Sequence, residues 1–204
     1  MLLKAVGKIS LYFYRLMIRI RSKAFSLLIS GAFSTFGKHS VVMPPLRISG
    51  EGYIEIGNRV FIGPNSWLQT LQYEENSPVV SIGDGTSIVG SCVISAVRRV
   101  ILENHVLLAR NVYISDHMHK YSDLSMPILA QGLEKIEPVL IRRGAWIGQN
   151  VVVCPGVTIG VGAVIGANSL VSESVPDFCL AVGSPAKVIK SFGKKHGGFF
   201  SKDD

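Results

Sequence analysis

Long uncharged apolar stretches are absent from this sequence. Nearly half of its 204 residues are apolar, 48%, yet no run reaches the roughly 18 residues that a membrane-spanning helix needs. Acids are missing altogether from residues 1–50, which hold Lys4, Lys8, Arg15, Arg19, Arg21, Lys23, Lys38 and Arg47. That segment carries +8, and the remainder, with 13 basic and 14 acidic residues, carries −1 of the total +7. A main body so close to neutral lacks the basic face of a nucleic-acid binder, so no nucleic-acid partner is expected. Cysteine is scarce. Cys92, Cys154 and Cys179 are odd in number, which argues against a disulfide framework, and their spacing fits no metal site. They read as buried thiols in a reducing compartment. Nor is a secretory leader indicated: Lys8, Arg15 and Arg19 break the first apolar stretch, and no small-residue cleavage site follows. The expectation is one cytoplasmic domain large enough to bury a real core.

What is present is a six-residue repeat. Apolar residues recur at Ile56, Ile62 and Leu68, at Ile82, Ile88 and Ile94, and at Leu102, Leu108 and Ile114. They return at Ile141, Ile147, Val153, Ile159, Ile165 and Val171, and Gly follows directly at Gly57, Gly63, Gly83, Gly148, Gly160 and Gly166. Four residues after the apolar position stand Val60, Ser66, Thr86, Cys92, Val106, Val112, Ala145, Val151, Val157, Ala163 and Ser169. All are small or β-branched. This period fits neither a 3.6-residue helix nor a simple strand alternation. It fits an all-β fold, a left-handed parallel β-helix of about five coils, with three short strands per coil stacked at strand spacing. Glycine at the corners is expected to supply the backbone angles of a tight turn.

The period breaks three times. There is a short excursion at Leu71–Pro78, a two-residue slip between Ile94 and Leu102, and a long interruption over residues 115–138 that holds Asp116, His117 and His119. A projecting loop of that length is uncommon unless it is functional. The repeat defines a body over residues 51–180. Residues 181–204 read as a short C-terminal cap helix, with Pro185 in its first turn, followed by a tail. Residues 1–50 read as a basic amphipathic helical segment and lead-in. Within 1–37, Leu2, Leu3, Val6, Ile9, Phe13, Leu16, Met17 and Ile20 interleave with cations. Two readings stay open for it: peripheral contact with an anionic inner-membrane face, or packing on the solenoid flank with a solvated basic side.

Three stretches carry a family resemblance: Tyr113-Ile-Ser-Asp-His-Met-His-Lys-Tyr121, Gly144-Ala-Trp-Ile-Gly-Gln-Asn150, and the run from Pro155-Gly-Val-Thr-Ile-Gly160 to Gly183-Ser-Pro-Ala-Lys-Val-Ile-Lys190. With them, residues 53–190 resemble the hexapeptide-repeat acyltransferases of the maltose and galactoside O-acetyltransferase type. They are most similar to the branch that O-acetylates surface polysaccharides such as colanic acid, capsule or O-antigen. The resemblance implies a homotrimer that moves acetyl from acetyl-CoA to a sugar hydroxyl without a metal. It implies His117 as general base, with Asp116 and His119 beside it. Imidazole suits that role because it titrates near neutrality and a sugar hydroxyl needs its proton removed to attack. For acetyl-CoA the resemblance points to Trp146, Gly148, Gln149, Ala167, Asn168, Ser172, Lys187 and Lys190, the two lysines facing the phosphates. Glu173, where relatives often carry Lys, and Gln149, where some carry Ser, depart from the pattern. His39, His105 and His196 read as structural. Three other functions remain to be weighed: an N-acetyltransferase acting on a nucleotide-linked amino sugar, a zinc hydratase needing three converging histidines, and a non-catalytic β-helix scaffold.

Overall fold

Each apolar anchor of the repeat points to a common axis. In the computed structural model, which describes residues 2–71 and 79–193, every anchor from Ile56 to Val171 is at most 2% exposed. The short strands that carry them form three faces. The first runs Thr35–Phe36, Ile54–Ile56, Val80–Ile82, Val100–Leu102, Val139–Ile141 and Thr158–Ile159. The second starts at Val41–Val42 and ends at Cys179–Gly183 and Ala186–Ser191. The third runs from Arg47–Ser49 through Trp67–Thr70, Val93–Ala96, Tyr113–Ser115 and Val152–Val153 to Leu170–Val171. Pairing between coils is parallel and in register, as in Ile56↔Ile82 and Leu108↔Ile147. A parallel, three-faced stack with a six-residue repeat agrees with the expected left-handed β-helix.

The stack holds six strands on the first and third faces, one coil more than the repeat suggested. The extra coil is the first, built from residues read as lead-in. Its anchors Phe36, Val42 and Ile48 keep the six-residue spacing, and Gly37 follows the first of them. They were legible as repeat members but were masked by the basic helical segment beside them.

The glycines do different work from that expected. Gly83 and Gly148 have no left-handed φ; instead, a Cβ on either would sit 2.7 Å from a backbone nitrogen of the next coil, that of Asn104 or Ala167. Close approach of stacked corners selects them. The left-handed position lies two residues further on and is filled by Asn65, His105, Asn111, Asn150 and Asn168, with φ between 59° and 61°. Asparagine tolerates that region because its short side chain bonds locally. Here the side chains also bond to one another: Asn111 donates to Asn150 at 3.1 Å, and Asn150 to Asn168 at 2.9 Å. The small residues four after each anchor are all buried. Their polar members are satisfied, Ser169 donating to the Gly166 carbonyl at 2.7 Å.

Both ends depart from plain coils. The N-terminal helix spans Leu2–Ile29, and Ser22 and Ser26 are its only buried residues. No helix of the described residues is long and apolar enough to cross a membrane. Among the described residues the expected cap helix is absent. Cys179–Gly183 and Ala186–Ser191 form an antiparallel hairpin on the edge of the second face, turning at Gly183 with φ 107°. The open ladder of the last coil offers hydrogen bonds that a helix would leave unmade, and β-branched Val182, Val188 and Ile189 suit a strand. The Leu71–Pro78 excursion beyond Leu71, the tail after Gly193 and His196 lie outside the described residues.

If close approach rather than φ selects these glycines, Gly83→Ala should lower stability by about 1–3 kcal/mol, the usual cost of overpacking. Gly31→Ala, where an added Cβ meets nothing within 4 Å, should leave the urea midpoint unchanged.

Candidate active site

The third face carries the interruption. Its outward residues stand directly before the anchors, so Trp67, Val93, Tyr113 and Val152 stack in one row across successive coils. They wall a groove of about 550 Å³ that also takes in Gln69, Ser95, Ser115, His117, His119 and Cys154. The Arg47 guanidinium lies over the Trp67 ring, 4.4 Å from its centroid, within cation–π range. The groove is mostly apolar and of small-molecule size, with His117 and His119 among its few polar lining residues.

His117 follows the strand Tyr113–Ser115 and is 9% exposed. Its Nδ1 is 2.8 Å from Asp116 Oδ1 and 3.3 Å from Ser115 Oγ. Ser115 Oγ in turn donates to the His117 carbonyl at 2.9 Å. Asp116 is fully buried, and its partners explain how a carboxylate survives there. The backbone amides of Val97, Arg98 and Arg99 donate to it at 2.9, 2.7 and 2.7 Å. Burial pushes its pKa up, but the His117 hydrogen bond and these three amides outweigh burial and hold it below 3.8, the ordinary value. An ionised carboxylate only accepts, so Nδ1 of His117 is the donor of this pair, and in the neutral ring the lone pair belongs to Nε2.

The two-residue slip between Ile94 and Leu102 supplies this clamp. A regular coil would keep the Val97–Arg99 amides in the ladder; the extra residues turn them inward onto Asp116. The sequence displays the slip but not its target. The interruption itself folds as a projecting hairpin, with Met118–His119 paired antiparallel to Leu133–Glu134. Glu137 N donates to the Asp116 carbonyl at 2.8 Å and closes the root. His119 is exposed on this hairpin and faces the groove.

The residues expected to hold acetyl-CoA fall elsewhere. Trp146, Gly148, Gln149, Ala167 and Asn168 share one corner, between the second and third faces, on consecutive coils. Asn168 N donates to the Gln149 carbonyl at 2.8 Å, and Trp146 is 49% exposed. Ser172 lies beyond the far end of the last third-face strand. Lys187 and Lys190 sit on the terminal hairpin, not on a helix. Lys187 Nζ pairs with Glu173 at 3.2 Å, whereas Lys190 Nζ lies 5.4 Å from the Phe192 ring centroid. None of these residues lines the groove that holds His117.

Sequence reasoning missed Trp67, Gln69 and Ser95 as groove residues; their signal was position, since strand alternation turns the residues on either side of an anchor away from the axis. Cys154 also departs from expectation. It is half-buried in the groove wall, while Cys92 and Cys179 are buried. His39 and His105 occupy left-handed corner positions, φ 63° and 60°. Among the described residues no group of three His, Cys, Asp or Glu side chains could hold a metal, so the donor set does not fit a three-histidine zinc site.

The repeat and the groove histidine define the class: a hexapeptide-repeat β-helix with a carboxylate-backed imidazole at its surface. Residues 138–173 match the family described as bacterial transferase hexapeptide (six repeats). The chain is 32% identical over 158 residues to the putative lipopolysaccharide biosynthesis O-acetyl transferase WbbJ of Escherichia coli, covering 74% of this chain and 79% of that one. It is 30% identical over 176 residues to the galactoside O-acetyltransferase of the same organism, covering 86% and 72%. A probable acetyltransferase of Mycobacterium tuberculosis is 38% identical over 138 residues, 68% of this chain but only 44% of that longer protein. Among solved structures, the Bacillus cereus N-acyltransferase AntD, crystallised with dTDP and coenzyme A, shares the fold at TM-score 0.71 and 23% identity, covering 83% and 90% of the two chains. A Vibrio cholerae hexapeptide-repeat acetyltransferase complexed with acetyl-CoA superposes at TM-score 0.60 and 27% identity, covering 82% and 75%. The chain belongs to the bacterial hexapeptide-repeat transferases and is an acetyltransferase.

Asp116 is more acidic folded than unfolded, so its stabilisation is complete above pH 3.8 and is lost as pH falls through the lower folded value. Asp116→Asn should lower unfolding free energy near neutral pH by on the order of 1–3 kcal/mol. Urea midpoints of variant and wild type should converge as pH drops below about 4.

Proposed function

We propose that this protein transfers acetyl from acetyl-CoA to a sugar hydroxyl of a bacterial surface polysaccharide or its precursor, with His117 as general base. The observation that carries the reading is the His117–Asp116 pair at the end of a groove of sugar size. Asp116 keeps the proton on Nδ1 and leaves Nε2 to take the proton of an incoming hydroxyl. The oxygen then attacks the thioester carbonyl, forming the new C–O bond. Collapse of the tetrahedral adduct breaks the C–S bond, and the imidazolium returns its proton to the departing thiolate. Asp116 also offsets the charge that His117 acquires meanwhile, as a buried carboxylate does behind a catalytic imidazole. His119, exposed on the projecting hairpin, is suited to touch the acceptor.

The corner residues fit the carrier of the acetyl group. Exposed Trp146 offers a flat apolar wall for the pantetheine arm, beside the tightly stacked corner at Gly148. Lys187 and Lys190 stand nearby for the phosphates. Within one chain this strip and His117 lie on different sides of the third face. A threefold assembly brings the base of one protomer opposite the strip of the next, and a homotrimer is therefore part of the reading. The hydroxyl acceptor is favoured by two relatives that cover 74% and 86% of this chain, both named as O-acetyltransferases.

His117→Ala should lower turnover by roughly 10²–10⁴-fold, the usual contribution of a positioned general base, with coenzyme A affinity retained; wild-type turnover in this variant would remove His117 from the role. The acceptor is assigned by acetyl transfer to free, nucleotide-linked and lipid-linked sugars, and preference for an amino sugar would replace the hydroxyl reading. Absence of coenzyme A binding would favour the scaffold. Because Glu173 already engages Lys187, Lys190→Ala should raise KM for acetyl-CoA more than Lys187→Ala does. For Lys190 roughly tenfold is expected, the worth of one charge-assisted contact.

A further inference from the structure

The N-terminal helix meets the solenoid only near its C-terminal end. Ser22 and Ser26 are buried, Ile18, Phe25 and Ile29 are partly covered, and every described residue up to Met17 is exposed. Ser26 Oγ accepts from the Val42 amide at 2.8 Å and so ties the helix to the first coil. The free stretch runs about 24 Å at 1.5 Å per residue.

That stretch is not composed like a solvated helix. Leu2, Val6, Ile9, Phe13, Met17 and Ile20 recur at helical spacing and are 52–79% exposed. At 100° per residue this stripe lies about 160° from the side that holds Ser22 and Ser26, so the chain's own solenoid cannot cover it. At the same 100° per residue, Lys4, Lys8, Arg15 and Arg19 fall on the polar side away from the stripe, Arg21 and Lys23 flank it, and the helix has no acid. A second copy laid against it would bring six more cations and no carboxylate to pair with them. An anionic headgroup layer complements both features, with the stripe entering the acyl boundary and the cations meeting phosphate. Cations placed from Lys4 to Lys23 also suit a helix lying in the surface rather than one crossing it.

We propose that this helix lies in the plane of an anionic bilayer surface and holds the solenoid above the headgroups with its first coil nearest. The inference goes beyond acetyl transfer and stands independently of it, because it uses none of the groove or corner residues.

The test is sedimentation of the full chain with vesicles of phosphatidylglycerol and phosphatidylcholine, and with phosphatidylcholine alone, in the absence of acetyl-CoA. The wild type should pellet with the anionic vesicles, and roughly tenfold more weakly with the neutral ones or at raised salt. Phe13→Glu/Met17→Glu should weaken binding roughly tenfold or more, while oligomer size, thermal midpoint and acetyl transfer to a soluble acceptor stay unchanged. Lys4→Gln/Lys8→Gln/Arg15→Gln keeps the stripe intact and should abolish the preference for anionic lipid. Wild-type protein left in the supernatant with anionic vesicles would overturn the proposal, as would equal pelleting by Phe13→Glu/Met17→Glu. A smaller oligomer in that variant, without vesicle binding by the wild type, would assign the stripe to a second copy instead.

Discussion

Successive coils of this protein stack at strand spacing, about 4.8 Å, and that spacing restricts what the corners can hold. A side chain beyond hydrogen cannot fit after an anchor where the next corner's backbone lies under 3 Å from a built Cβ, as at Gly83 and Gly148. Two residues on, the chain must turn through the left-handed region, and asparagine takes that place in four of the coils. One further on, a small residue must fit inside the triangle. The same stacking aligns whatever faces outward. Trp67, Val93, Tyr113 and Val152 share a row because their neighbours Leu68, Ile94, Ile114 and Val153 share an axis.

A solenoid this regular offers little chemistry, because its ladder consumes the backbone groups and its interior is apolar. The site arises where regularity fails twice on neighbouring coils. The slip after Ile94 frees the Val97–Arg99 amides, and the interruption after Ile114 delivers Asp116 to them. A buried carboxylate without such donors would take up a proton rather than stay charged. With them it stays ionised and fixes the imidazole of His117. The chemistry of His117 therefore depends on backbone groups one coil away, in a segment with no titratable side chain at the site.

The two ends meet different demands. At the C-terminal end the last coil exposes a ladder edge, and the hairpin through Ala186–Ser191 covers it. At the N-terminal end the helix shields part of the first coil and carries away from the body a stripe that no described residue covers. Both elements hold cations, Lys187 and Lys190 at one end and six basic residues on the helix at the other. The excess of positive charge thus lies off the solenoid proper, whose residues 51–180 hold 8 basic and 12 acidic side chains.

The six-residue period alone fixed the body of the fold, since no helix or simple strand buries one residue in six, and it also marked the segments that could carry chemistry by interrupting itself. His117 and Asp116 were legible as neighbours in such a segment. The first coil could have been read from Phe36, Val42 and Ile48, but the cations around them drew the reading toward a helical lead-in. Only the tertiary structure decided that Asp116 is held by three amides from the previous coil, that Trp67 and Gln69 join the groove, and that the last segment is a hairpin. These are contacts between coils, and residues some twenty positions apart become neighbours only after stacking sets the register. Local propensity cannot anticipate a partner that stacking brings.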